Sequence, residues 1–248
     1  MEFRFLSDGE VCYTGFLVGI QPISPRSVLE NLRDIRSRID AAARRAGRDP
    51  NTVEPMAVVK YAALEDVKAL LDEGGIAWCA ENRVQDALRR REALAESAGK
   101  ARWRFIGHLQ TNKVNQVLGR FDSIDSIDSL KLAEALNKRL ERPLPVLIQV
   151  KLTERETQSG VPLAEAKSFV SALNNFSKID ARGFMAIAPI DDDPESLRPH
   201  FRAMREKLDE SFPNLDKPEL SMGMSGDFEV AVEEGATMVR IGSALFDE

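Results

Sequence analysis

Met56-Ala57-Val58-Val59-Lys60 is a run of four apolar residues closed by an amine. The run reads as a buried strand, and an amine at the end of a buried strand is costly to place. Burial disfavours the ammonium form of any lysine, which is how such a side chain becomes nucleophilic enough to form a Schiff base with a carbonyl. The alternative is that Lys60 stands one residue past the strand with its amine in water.

Upstream of this run, Ser27 caps a helix whose apolar positions include Val28, Leu32, Ile35 and Ile39, and which ends near Gly47 with Asp49-Pro50 beyond it. Downstream, residues 76–80, 103–106, 123–124, 146–150, 181–187, 219–222 and 238–241 join 56–59 as eight strand candidates. Helical stretches lie between them at 65–73, 83–97, 112–118, 130–140, 163–176, 194–212 and 228–234. Alternating strands and helices with right-handed crossovers give a parallel sheet. Eight such units at this length predict an α/β fold with a single closed (β/α)8 TIM barrel preceded by an N-terminal helix. A doubly wound open sheet is the competitor, but no Gly-rich dinucleotide loop follows the first strand.

The chain has 248 residues, 43% of them hydrophobic, enough to bury a core without staples or metals. Its formal net charge of -6 gives no general electrostatic reason to expect nucleic acid or an anionic membrane as partner. Cys12 and Cys79 form neither a disulfide framework nor a CxxC site, which fits a reducing cytoplasm. His108 and His200 are far apart and lack the pairing of a zinc site. Neither a bilayer-spanning apolar stretch nor a signal peptide is visible. Residues 1–24, with Phe3, Phe5, Phe16, Leu17, Val18 and Ile20 among Gly and polar residues, read as an atypical extension: an added strand pair, a disordered segment or an upstream start. The barrel domain then spans residues 25–248.

A barrel of this kind carries its site at the carboxyl ends of the strands. Lys60 ends the first, Glu81-Asn82 the second, and Gly107-His108-Leu109-Gln110 follows the third. Ser221-Met222-Gly223-Met224-Ser225-Gly226 follows the seventh, and the eighth ends Arg240-Ile241-Gly242-Ser243. Small residues let main-chain N–H groups approach an anion, so Ser225 with Gly242 and Ser243 reads as a phosphate cradle. Ordinary turn chemistry uses the same residues. By period two, Met238, Arg240 and Gly242 share one strand face, as Met56, Val58 and Lys60 do. Inward faces would bring an arginine and a lysine together beside the cradle, which asks for an anionic or Schiff-base ligand. Alternatively Arg240 pairs with a carboxylate such as Glu81.

These residues resemble the pyridoxal phosphate homeostasis family, itself similar to the N-terminal barrel of alanine racemase. The resemblance spans residues 27–246 and rests on Ala57-Val58-Val59-Lys60, Glu81-Asn82-Arg83-Val84-Gln85, the stretch from Trp103 through Lys113, Ser126-Ile127-Asp128, Arg182-Gly183-Phe184-Met185, and the two segments around Ser225 and Arg240. It implies that Lys60 carries pyridoxal 5'-phosphate (PLP) as a covalent aldimine, that Ser225, Gly242 and Ser243 hold its phosphate, and that Arg240 faces the pyridine nitrogen. Asn82 and the main chain around Ile106-Gly107 would line the ring. A permanently charged arginine at that nitrogen weakens the ring as an electron sink, which argues against transamination. The implied role is a carrier or buffer of PLP in vitamin B6 and amino-acid balance, delivering it to apo PLP-dependent enzymes as a monomer or weak dimer, without robust turnover. A PLP-dependent racemase or lyase is the alternative, and a cofactor-free aldolase a third class. A two-base racemase needs a second acid or base on the opposite ring face, which alanine racemase takes from a C-terminal domain; the chain here ends at Glu248.

Tyr61, next to the lysine, is expected to point to the opposite strand face and pack. Where the family often has a small polar residue after the lysine and a further lysine in a Lys-Ser-Gly segment, this chain has Tyr61 and Gln158-Ser159-Gly160. Lys151, at the end of the fifth strand, either takes over part of that second lysine's role or is a solvated strand-end lysine, the latter being the expectation. Arg89-Arg90-Arg91 reads as a solvated helix face. His108, Gln110, Asn112 and Lys113 would look the same as ligand contacts or as capping residues, and Met222 and Met224 either meet the cofactor or fill gaps.

Overall fold

Each apolar run pairs in parallel with its neighbours, and the last returns to the first, so the sheet closes on itself. The computed structural model describes residues 27–152, 159–189, 191 and 193–246. The expectations for residues 1–24 and for Gln158 lie outside the described residues. The strands are β1 (Glu54–Val58), β2 (Trp78–Glu81), β3 (Arg102–Phe105), β4 (Ser123–Ile127), β5 (Leu144–Lys151), β6 (Val161–Pro162), β7 (Ile179–Ala186), β8 (Glu219–Ser221) and β9 (Met238–Ile241). Eight of them run β1-β2-β3-β4-β5-β7-β8-β9, with β9 pairing back onto β1 through Met56↔Arg240 and Ala57↔Ile241. The two-residue β6 adds to the end of β5 through Val150↔Val161.

The helices are α1 (Val28–Arg45), α2 (Leu64–Asp72), α3 (Val84–Leu94), α4 (Val114–Val117), α5 (Leu130–Asn137), α6 (Ala166–Leu173), α7 (Arg198–Ser211), α8 (Phe228–Glu233) and α9 (Ser243–Phe246). α1 starts where the sequence places it: the Ser27 hydroxyl accepts from the Glu30 N–H while the Glu30 carboxylate accepts from the Ser27 N–H. Its buried stripe of Val28, Leu32, Ile35 and Ile39 faces α8 and α9, each fully covered side chain contributing about 2 kcal/mol over exposure.

Strand alternation sorts the core into two compartments. Ala57, Val59, Cys79, Phe105, Val239 and Ile241 point outward into the large core under the helices. Met56, Trp78, Ala80 and Met238, with Val58 and Ile106, form the small apolar cluster inside the barrel. The lumen also holds a polar layer. Arg104, its side chain 3% exposed, donates to both oxygens of the fully buried Asp125 at 3.2 and 3.3 Å and to Glu219 at 2.7 Å. The Ser123 hydroxyl donates to Asp125 at 2.5 Å, and the Arg104 guanidinium lies 4.0 Å from the centre of the Trp78 ring.

This polar layer explains the clearest boundary difference. β4 extends through Asp125 and Ser126 to Ile127, beyond the 123–124 expected from apolarity, because Asp125 is repaid by a partner on the next strand. Helix 112–118 resolves into a 3-10 turn at Thr111–Lys113 and the short α4, and 194–212 into a 3-10 turn at Pro194–Leu197 followed by α7. Where β5 slips register against β7 between Val146 and Leu147, Gly183 takes φ +152° and a Cβ there would lie 1.9 Å from the Glu219 carbonyl oxygen; only glycine fits.

Cys79 points into the outer core with no exposed surface, and burial pushes its thiol up to about 12. The folded protein is therefore expected to leave Cys79 unlabelled by iodoacetamide at pH 8, with labelling appearing only on unfolding. Rapid native labelling at Cys79, mapped by peptide mass, would contradict this packing.

Candidate functional site

The carboxyl ends of the strands frame a cavity of about 860 Å3, and all six residues singled out from the sequence line it: Lys60, Asn82, Ser225, Arg240, Gly242 and Ser243. Val58, Ile106, Met185 and Ile187 supply its apolar wall.

Arg240 lies at the base. It is 4% exposed, its Nη1 donating to the Ser221 carbonyl at 2.7 Å and hydroxyl at 3.1 Å, and its Nη2 to the Ala186 carbonyl at 2.8 Å. Burial among these neutral oxygens pushes the guanidinium down to about 10, with Asp125 and Asp227 pulling the other way. It therefore stays charged at neutral pH. The alternative pairing with Glu81 is not formed. Glu81 points to the outer side of β2, where it accepts from Arg90 Nε at 3.3 Å. Arg240 Nε has no hydrogen-bond partner among the described residues.

Lys60 stands higher. β1 stops at Val58, and the Ala62 N–H donates to the Val59 carbonyl at 3.1 Å, so Lys60 and Tyr61 occupy the two central positions of a turn. Lys60 is exposed at the rim and does not continue the strand as a buried amine. The same turn overturns the expectation for Tyr61. Alternation ends with the strand, so Tyr61 faces the cavity, 82% exposed, with its ring centre 5.1 Å from Lys60 Nζ.

Arg90 corrects a second expectation. Its side chain is 14% exposed and turned inward, with Nη1 donating to the Ala62 carbonyl at 2.9 Å while Nε holds Glu81. Burial keeps the Glu81 carboxyl above its usual range despite Arg90. The pair clamps the Lys60 turn to α3. The available signal was a carboxylate, Glu81, at a strand end nine residues before an arginine on the helix that follows. Arg89 does lie in solvent, whereas Arg91 is turned back to the Arg120 carbonyl and to the Trp103 ring.

The two halves of the cup meet directly. The Ser225 hydroxyl accepts from the Ala244 N–H at 3.1 Å, tying the loop after β8 to the first turn of α9. Met224 lines the cavity, while Met222 is fully buried. Asn82 is positioned by close main-chain approach: a Cβ on Gly107 would lie 2.1 Å from the Asn82 carbonyl oxygen. The Gly107 carbonyl in turn accepts from the Ser126 hydroxyl at 2.6 Å. His108, Gln110 and Asn112 line a separate recess, with His108 Nδ1 3.4 Å from Asp128. Lys151 ends β5 and does not line the cavity.

A barrel with its lysine on the turn after the first strand and a Gly-Ser loop after the last defines a class. The chain belongs to the family described as alanine racemase, N-terminal domain, whose model matches residues 31–248. Within that class it is similar to the pyridoxal phosphate homeostasis protein of Aquifex aeolicus (strain VF5), with 39% identity over 224 residues, 88% of this chain and 97% of the relative. The structure of PipY from Synechococcus elongatus PCC7942 with PLP bound has a TM-score of 0.74 and 29% identity, covering 89% of this chain and 100% of that one. Alanine racemase of Clostridium difficile 630 shares the fold at a TM-score of 0.64 and 18% identity, covering 88% of this chain and 56% of the racemase. No helix among the described residues is long and apolar enough to cross a membrane.

Proposed function

We propose that this protein binds PLP reversibly through Lys60 and serves in cytoplasmic PLP homeostasis, holding the cofactor and passing it to apo PLP-dependent enzymes. The observation that carries this reading is the convergence of one amine, one buried arginine and a two-part Ser/Gly cup on a single cavity. The residues fit the group. Lys60 supplies the amine for a Schiff base, Ser225, Gly242 and Ser243 take the phosphate, and Asn82 lies beside the ring. Arg240, anchored by main-chain carbonyls with Nε left over, is placed to meet the pyridine nitrogen. When bound, PLP supplies an aldehyde and a conjugated ring that can delocalise charge. A charged arginine at the ring nitrogen disfavours pyridinium and weakens that delocalisation, which remains compatible with racemase chemistry but argues against transamination. The relatives' name, pyridoxal phosphate homeostasis protein, and the PLP in PipY support the same reading. The binding unit is residues 25–248, acting as a monomer or weak dimer, with residues 1–24 outside the binding role.

One observation favours a second reading. Tyr61 brings another ionisable group to the rim beside Lys60, which an amino-acid racemase or lyase would need. Solvent deuterium exchange at the α-carbon of candidate amino acids separates the two. A carrier exchanges no faster than free PLP and restores activity to an apo-enzyme stoichiometrically. Multiple turnovers of exchange per cofactor would establish the racemase reading instead.

A further inference from the structure

The geometry points to Tyr61 as the residue that covers the outer face of a pyridoxal ring held at Lys60. This rests on the function proposed above and adds to it a control over how open the bound aldehyde carbon is to attack.

Tyr61 is unusually placed. Tyr61 exposes 82% of its surface, yet its main chain is pinned. The Ala62 N–H is bonded to Val59, and the Ala62 carbonyl to Arg90, which is itself held by Glu81 inside the protein. An ordered turn that keeps a large ring out of the core presents that ring to something else. The ring centre is 5.1 Å from Lys60 Nζ, so a planar group bonded to that nitrogen begins within stacking distance of the phenol. Ile106, Met185, Ile187 and Phe246 line the same cavity, and of its two aromatic rings Tyr61 is the one shown beside the Lys60 amine. Adjacent positions on a strand would have put the two side chains on opposite faces; the turn puts both over one mouth. Since stacking needs the ring and not the hydroxyl, phenylalanine should serve as well as tyrosine.

The test uses the full chain loaded with PLP. In the borohydride-reduced complex, nitration of Tyr61 by tetranitromethane is expected to slow by about 5-fold or more relative to the protein without cofactor, a change of the size aromatic stacking gives. Tyr13, the second tyrosine, is the internal reference. Hydroxylamine, which takes the aldehyde carbon as an oxime and returns the Lys60 amine, should strip the cofactor about 3- to 10-fold faster from Tyr61→Ala and at the unsubstituted rate from Tyr61→Phe. Equal nitration with and without cofactor, or equal stripping from Tyr61→Ala, would overturn the inference. Stripping that accelerates equally in Tyr61→Phe would also overturn it, assigning the effect to the hydroxyl. If the unsubstituted protein itself develops no band near about 420 nm with PLP, the proposed function fails first and this inference with it.

Discussion

Lys60→Ala protein is expected to stay colourless in PLP solutions that turn the unsubstituted protein yellow, with no band near about 420 nm and no cofactor retained after borohydride treatment. Affinity should fall by at least roughly 100-fold, since the covalent bond to the amine is lost and only the cup and Arg240 remain to hold the ligand. The fold should not notice. Lys60 is exposed on a turn, and its one ring contact among the described residues is with the exposed Tyr61, so the thermal midpoint should move by less than about 2 °C. This combination makes the prediction sharp: large effects on binding from exposed side chains are uncommon unless the residue meets the ligand. A Lys60→Ala protein that kept the band, measured by absorbance titration, would remove Lys60 from its assigned role.

The second large effect is on stability. Asp125→Ala removes the carboxylate that accepts twice from Arg104 at 3.2 and 3.3 Å. Among the described residues Arg104 would be left with Glu219 as its remaining carboxylate and the Trp78 ring, and its buried Nε already has no hydrogen-bond partner among them. Breaking one side of a buried pair costs about 3–5 kcal/mol, because the remaining charge is neither hydrated nor compensated. For a chain of this size that lowers the thermal midpoint by about 10 °C, readable by differential scanning calorimetry. Asp125 also helps to keep Arg240 charged, so PLP affinity should drop as well. A midpoint within about 2 °C of the unsubstituted protein would show that the polar layer contributes little to the barrel.

These two residues mark where the sequence was legible and where it was not. The eight strands could be read because apolar runs recur between amphipathic stretches. The lining of the candidate site could be read because Lys60, Arg240 and Gly242 stand at the carboxyl ends of adjacent closing strands or on the turns just after them, where a barrel gathers its loops. Asp125 was opaque for a physical reason. A buried carboxylate looks like a strand terminator until its partner is known, and Arg104 lies on another strand. Tyr61 was misread because alternation was carried past Val58, where the hydrogen-bonded turn already begins. Arg90 was misread because a run of three arginines suggests solvent, whereas one of the three meets a carboxylate buried at the end of β2. In each case the deciding partner lies on another element or the main chain has left its regular repeat.

The most direct measurement is to incubate the protein with PLP, reduce with borohydride and map the modified peptide by mass spectrometry. The account predicts one pyridoxyl group per chain, on Lys60 in the segment Met56-Ala57-Val58-Val59-Lys60-Tyr61. Modification at Lys151 or any other lysine in place of Lys60, or no stable adduct at all, would contradict it.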